Sequence, residues 1–538
     1  MQLRSWVFAG LLVIAVHCIA DARAGEPRVG KFVSYEVEDF TITTSRGGKQ
    51  ARQFMEDLAK FRAALEKLLA KHAANVGIPT HILVMGSDTW QKYLQPGQNV
   101  AGWFHSGRFA NYMAINGDAE AADSNHIMFH EYTHFFLSSR FAGEYPPWFN
   151  EGLAELMGYA MFTKDMAVLR IPTDLLHEAR DGEWIPFDRM IRVDHSSPEY
   201  QSHKLAQSFY AQAWLTVHYG LLENREFGKH MIEYLNHLNR LQPLDEAAKL
   251  SFGADLTVVD KQLREYSRSK QLMSGGLKLG ELPAVTLPEG KPVAELDALA
   301  MIADLMLETR KAPDRARPLV ESLAHREPNS ARAAILAARL AMLDEDPKAF
   351  DAAVKRATSL LPAGDWLSRR ELASVLLDNA LAFNPANSGS TEDSERDLTS
   401  AMHWFGEAVA HNNEDVESLW GYGTAATRLD KELDLAETAL LAAYKRAPKS
   451  ADIAMSLANL KGRQQQPEAM IPYLKDTIRY SNNHATSKWA AETLLETQEY
   501  LAERDRVEAE NRKQREAYEK MRAEYDKKYG KTKKKSGS

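Results

Sequence analysis

Residues 129–156 read FHEYTHFFLSSRFAGEYPPWFNEGLAEL, and the spacing within this stretch decides how the first half of the chain is understood. Helical periodicity runs from Asn125 to Arg140, with His130 and His134 four positions apart. Residues at i and i+4 share one helix face, so both imidazoles can reach one metal ion from one side. Glu131 projects about 100° away from His130, close to a water at the metal without ligating it. Glu151 follows 17 residues after His134, where Pro146-Pro147 opens a second helical pattern that extends to Thr163. Glu151 is therefore a third candidate ligand. Two histidines and one carboxylate leave a fourth position open, the hydrolytic rather than the closed structural arrangement of zinc. Glu155 lies one turn beyond Glu151, and two readings are open for it. It accepts the second N–H of a ligating histidine, or it is a solvated helix-face carboxylate. His126, one turn before His130, is either a fourth ligand or a surface or outer-shell histidine; a fourth protein ligand would close the site.

Outward from this stretch, residues 31–45 (KFVSYEVEDFTITTS) alternate as a strand or hairpin, and residues 48–73 place Phe54, Leu58, Phe61, Leu65 and Leu68 on one helix face. Thr80–Met85 and Ala110–Ile115 are strand candidates, the second ended by Asn116-Gly117. Helical patterns at about Lys204–Leu221 and Glu226–Leu238 complete an α+β domain over residues 25–273. Trp148 and Trp214 read as core anchors, and His203 and His218 as oxyanion donors or as ordinary polar positions. No P-loop, G-x-S-x-G elbow or dinucleotide fingerprint is present.

The Gly/Pro-rich residues 274–292 (SGGLKLGELPAVTLPEGKP) predict an inter-domain linker. Residues 293–500 beyond it are alanine-rich helix pairs closed by Pro328, Pro362, Asn412, Pro448 and Asn482. Two of the intervals are 34 residues, the tetratricopeptide period, and the 50-residue interval carries an Asn/Ser-rich insertion at 384–394. The expectation is an all-α tetratricopeptide-like solenoid that binds a protein partner. Small residues such as Ala436 and Ala443 suit close helix packing. Residues 501–538 carry 13 basic and 8 acidic side chains and read as a solvated helix with a Lys-rich end.

Composition bounds the class. The 538 residues are 44% hydrophobic and 26% charged, with a formal charge of −8, so no basic field points to nucleic acid. Cys18 is the one cysteine, which excludes an internal disulfide framework and thiolate zinc fingers. Arg4, the apolar run Trp6–Ala20 and Ala22-Arg23-Ala24 form a secretory signal over residues 1–24. His17 opposes lipid modification at Cys18. The expected product is exported, most simply to a bacterial periplasm, with no integral membrane span after cleavage.

H-E-x-x-H followed by P-x-W-x-x-E-G-x-A-E resembles the gluzincin metallopeptidases, most closely the peptidase MA-like group, over roughly residues 30–265. The resemblance implies a gluzincin-like α+β metallopeptidase domain with one Zn2+ per chain on His130, His134 and Glu151. It implies Glu131 as general base and a peptide or protein as substrate. It also assigns Ala110–Ile115 as an edge strand that pairs with extended substrate. Phe209-Tyr210-Ala211-Gln212-Ala213-Trp214 is similar to a helix of aminopeptidase-N-like gluzincins, which maps the oxyanion-binding tyrosine onto Tyr210; the other reading is a packed core tyrosine. Aminopeptidases of this kind carry a glutamate in G-x-M-E-N, and residues 108–116 (RFANYMAIN) have none, which favours internal cleavage. The expected function is thus a secreted zinc-dependent peptidase with a protein-binding repeat domain. Its alternatives are a catalytically silent scaffold and a zinc hydrolase of a non-peptide substrate.

Overall fold

The computed structural model describes residues 27–37, 40–68, 79–94, 102–118, 121–140, 145–163, 165–194, 197–240, 242–281, 286–309, 313–382, 391–481 and 484–529. The signal segment, most of the 384–394 insertion and the Lys-rich end lie outside them. The chain divides into two compact units, one holding the residues up to Asn413 and one beginning at Glu414.

The first unit is built on a six-stranded sheet. Its strands are β1 (Phe32–Val37), β2 (Phe40–Thr44), β3 (Thr80–Met85), β4 (Gly102–Ser106), β5 (Asn111–Asn116) and a late strand, Lys291–Val293. The spatial order is β4-β5-β3-β2-β1, closed by the late strand. β1 and β2 form an antiparallel hairpin, whereas β2, β3 and β5 run parallel, with Ile42 opposite Ile82 and Val84 opposite Ile115. A parallel β2–β3 pair requires a crossover, supplied by α1 (Gly48–Leu68). Strand β3 reads THILVM because both of its faces are covered. Ile82 and Val84 join Phe61 and Leu65 of α1 and Phe129, Tyr132 and Phe136 of α2 (Ala121–Arg140). Leu83 and Met85 point the other way, with Phe32, Trp103 and Ala114, onto Leu299, Ile302, Met306, Leu319 and Leu336. The first helices after the late strand, within residues 295–343, therefore supply the third layer of this sheet.

That packing corrects the linker expectation. Gly275–Lys278 forms a strand in a second sheet with Ala160–Phe162 and Met166–Leu169, and Lys291–Val293 pairs with β1. Gly275 and Gly290 serve close approach, since a Cβ would come within 2.8 Å of Leu222 at the first and 2.4 Å of Val33 at the second, whereas Gly280 takes a positive φ with nothing beside it. The edge-strand expectation is corrected too. β5 lies inside the sheet between β3 and β4, and the edge is β4, antiparallel to β5. Its five residues between glycines gave too short an alternation to register. The helix expected over 147–163 ends earlier, as α3 (Pro147–Gly158), and Ala160–Phe162 continues as strand. Gly158 packs against His126, whose ring a Cβ at that position would meet at 2.7 Å.

Helix pairs follow. The first unit holds Glu295–Thr309 with Pro313–Arg326, Ala331–Leu343 with Pro347–Leu360, and Trp366–Leu381 with Thr391–His411. The second holds Val416–Leu429 with Leu433–Arg446, Ala451–Arg463 with Pro467–Tyr480, and the long helix His484–Tyr529. The repeat is written in its caps: the side chains of Ser330, Asp365, Asp415 and Ser450 each accept a backbone N–H at the start of a first helix. Ala436 and Ala443 are fully buried, and Gly423 lies where a Cβ would meet Leu440 at 2.5 Å. The long helix packs through Trp489, Ala490 and Leu494, and beyond Leu501 its described residues are mostly exposed, as a solvated helix requires. Among the described residues no helix is long and apolar enough to cross a membrane.

Candidate metal centre

Two helices bring the site together. α2 carries His130 and His134 on one face, and α3 lies across it carrying Asn150, Glu151 and Glu155. Trp148 is fully buried, which fixes the roll of α3. Gly152 lets α3 settle on α4 (His203–His218), since a Cβ there would stand 2.3 Å from the carbonyl oxygen of Ala213. Trp214 is buried on the same helix. The Glu-Gly pair is thus a candidate ligand followed by a close contact.

The ligand atoms converge. Nε2 of His130 and Nε2 of His134 are 3.2 Å apart, and Oε2 of Glu151 is 3.4 Å from each. Tetrahedral ligands at zinc bond lengths of about 2.0–2.1 Å are separated by about 3.3–3.4 Å, so the triangle fits that ion. Oε2 of Glu151 is buried and takes no hydrogen bond. The chemistry of the donor set agrees, with two imidazole nitrogens and one carboxylate oxygen.

Each imidazole is also oriented from behind. Nδ1 of His134 bonds Oδ1 of Asn150 at 2.9 Å, and Nδ1 of His130 faces Oε1 of Glu155 at 3.5 Å. The Asn150 oxygen draws the proton of His134 to Nδ1 and leaves its Nε2 lone pair facing Glu151, whereas Nδ1 of His130 has the Glu155 charge beside it and no hydrogen bond among those described. Glu155 also meets Nε2 of His126 at 3.2 Å, and the His126 ring lies 4.2 Å from that of Tyr159. His126, His130 and Glu155 thus form a second group that shares His130 with the first. Glu155 and His126 therefore lie on the Nδ1 side of His130, away from the triangle that its Nε2 makes with His134 and Glu151.

The electrostatics follow from burial against charge. Burial opposes ionisation of His134, but the Glu151 carboxylate 3.4 Å away outweighs it and raises its pKa to about 9. His130 is raised in the same way, and burial of Glu151 is overcome by both histidines, which hold its carboxyl well below the usual range. Glu131 is half-buried, and its charge adds to the upward shift of His134 and of Tyr210.

Tyr210 on α4 is half-buried beside this group, with burial and then the Glu151 charge pushing its phenol up. Its ring stands 6.1 Å from that of Tyr200. The hydroxyl of Tyr200 donates to Oε1 of Glu151 at 2.7 Å. His218 is elsewhere: it is fully buried, with Nδ1 2.7 Å from the Tyr266 hydroxyl, and burial lowers its pKa to about 4. The His203 side chain lies outside the described ones. The sequence reading missed Asn150 and Tyr200. Asn150 sits inside the quoted stretch, one residue before Glu151, and its position was the available signal. Tyr200 had none, because it arrives on the short helix Pro198–Gln201 by tertiary folding.

No protein-family model matches this chain, and no curated protein does. Among solved structures the chain is similar to YrrB, described as a TPR protein with an unusual peptide-binding site, at 17% identity over 36% of this chain and 90% of that one, with a TM-score of 0.27. It is similar to PilF of Pseudomonas aeruginosa at 15% identity, over 39% of this chain and 97% of that one, with a TM-score of 0.29. It is also similar to PilW, described as a widely conserved type IV pilus biogenesis factor, at 13% identity, over 38% and 91% of the two chains, with a TM-score of 0.30.

Proposed function

We propose that the first unit is a zinc-dependent hydrolase of peptide bonds, and that the tetratricopeptide-like helix pairs bind a protein or peptide partner. The observation that carries the first part is the triangle of His130, His134 and Glu151, three ligands that would leave a tetrahedral ion one position for water, with Glu131 following His130 on α2. Zinc held there supplies a Lewis acid at the open position. Glu131 takes the proton of the attacking water and passes it to the leaving amine. The raised phenols of Tyr210 and Tyr200 stay protonated across the neutral range, so Tyr210 is a hydrogen-bond donor available to the developing oxyanion. β4, in place of the expected Ala110–Ile115, is the terminal strand at this end of the sheet and the one beside which extended substrate would lie.

Export rests on residues 1–24 and completes the proposal. The test is metal analysis of protein purified without its first 24 residues, followed by profiling on a mixed peptide library. Glu131→Gln is expected to retain one zinc per chain and to lose hydrolysis, because an amide cannot accept the proton. Wild-type turnover in that variant would refute the assignment of Glu131. A zinc-loaded wild type that cleaves no peptide would refute the peptidase reading.

A further inference from the structure

We propose that Tyr200 is a positioning residue of the metal centre: its phenol holds one oxygen of Glu151, so that the carboxylate offers only the other to the metal. This rests on the reading of His130, His134 and Glu151 as ligands.

The two carboxylate oxygens of Glu151 have separate partners. Oε1 accepts the Tyr200 hydroxyl at 2.7 Å, and Oε2 faces both histidines at 3.4 Å. A charge-assisted O–H bond of that length fixes the rotation of the carboxyl plane. Such a carboxylate is a one-oxygen ligand, which keeps the fourth position clear for water and substrate. Released from Tyr200, the same group could turn to offer both oxygens and fill that position.

Tyr200 is itself held in place. Ser197 precedes its short helix, and neighbouring Glu199 takes two bonds from Arg189, at 2.6 and 2.9 Å. The Tyr200 ring packs 6.1 Å from those of both Phe209 and Tyr210 on α4. A rigid donor on a fixed ring is what a ligand-orienting role requires. Tyr210 shares the neighbourhood and hydrogen-bonds the Tyr200 hydroxyl, whereas the bond to Oε1 of Glu151 comes from Tyr200.

The variant Tyr200→Phe keeps the ring and removes the donor. Metal-stripped wild type and variant are titrated with zinc against a chromophoric chelator, and with Co2+ while the visible spectrum is recorded. Four-coordinate Co2+ absorbs more strongly than five-coordinate Co2+, so the spectrum reports how many oxygens Glu151 contributes. Zinc affinity is expected to fall by about 10–100-fold, with weaker visible absorption per cobalt bound. Tyr200→His, which restores a ring donor at that place, is expected to recover part of both. A Tyr200→Phe variant with wild-type zinc affinity and cobalt spectrum overturns the proposal, even if it melts at a lower temperature. Wild-type protein that binds neither ion overturns the metal centre and this proposal with it, whereas failure of Tyr200 alone leaves the centre standing.

Discussion

Cutting the chain after Met273 should destroy the fold around the candidate metal site, although that point lies beyond every residue of the site. The cut removes the strands Gly275–Lys278 and Lys291–Val293 and the helices that cover the second face of the large sheet. Phe32, Leu83, Met85 and Trp103, which are 2%, 5%, 0% and 5% exposed, would lose that cover. At about 1.5–3 kcal/mol for each large apolar side chain, the loss is about 6–12 kcal/mol. The entire stability of a domain is about 5–15 kcal/mol, so little or none would remain. A fragment of residues 27–413 keeps the whole first unit and is expected to unfold cooperatively in urea. A fragment of residues 27–273 is expected to show no cooperative transition and no stoichiometric zinc. Urea titration by circular dichroism, with zinc analysis of both fragments, makes the comparison. If residues 27–273 unfold cooperatively at a midpoint near that of residues 27–413, the third-layer argument is wrong and the Gly/Pro stretch is a linker after all.

Three other outcomes are expected. His134→Ala removes one corner of the ligand triangle, and stoichiometric zinc surviving in that variant by metal analysis would contradict the ligand set. Gly152→Ala drives a methyl group to 2.3 Å from the Ala213 carbonyl, which is backbone and cannot turn aside. It should cost about 1–3 kcal/mol by denaturant titration and weaken zinc binding by displacing Glu151, so unchanged values of both would count against the packing argument. His218 is buried neutral with a pKa of about 4, so the unfolded chain takes up its proton first as the pH falls. Its contribution of about 3 kcal/mol is present above pH 6.5 and lost as pH drops through 4, and a His218→Gln variant with an unchanged stability slope across that window would refute this.

The parts of the site legible in the sequence are those fixed within one helix. His130 and His134 are four residues apart, as are Glu151 and Glu155, and helical geometry alone puts each pair on one face. That the two faces meet depends on packing between helices, with Gly158 of α3 against His126 of α2 and Gly152 against Ala213 of α4, which no local pattern records. Tyr200 illustrates the limit: a four-residue helix has no periodicity to read, and its hydroxyl reaches Glu151 across 49 positions. The edge strand failed for a similar reason, since Gly102–Ser106 is five residues long and only its pairing with β5 shows that it lies outermost. Gly275 failed differently. A glycine that gives freedom and a glycine that permits contact look the same in a sequence, and only Leu222 pressing on the absent side chain tells them apart.

The same ambiguity bears on what the repeats do. Alanine-rich helix pairs suggest a surface kept for a partner, yet the helices Glu295–Thr309 and Ala331–Leu343 bury most of their circumference. Their apolar side chains share one core with Leu83, Met85 and Trp103 of the sheet. Charged groups in these helices are satisfied internally as well. Arg339 donates to Asp304 at 2.8 Å and Glu308 at 2.9 Å, and Arg108 after β4 reaches Asp378 at 3.1 Å. A helix buried all round belongs to a core rather than to a binding face. The first pairs are therefore structural members of the first unit, and α2 is held against a sheet whose opposite side they complete. Their alanines serve close packing against the sheet as much as packing between repeats. A partner of this chain must then engage surfaces other than the side of those pairs that faces the sheet, and substitutions on that side should read out as lost stability before lost binding.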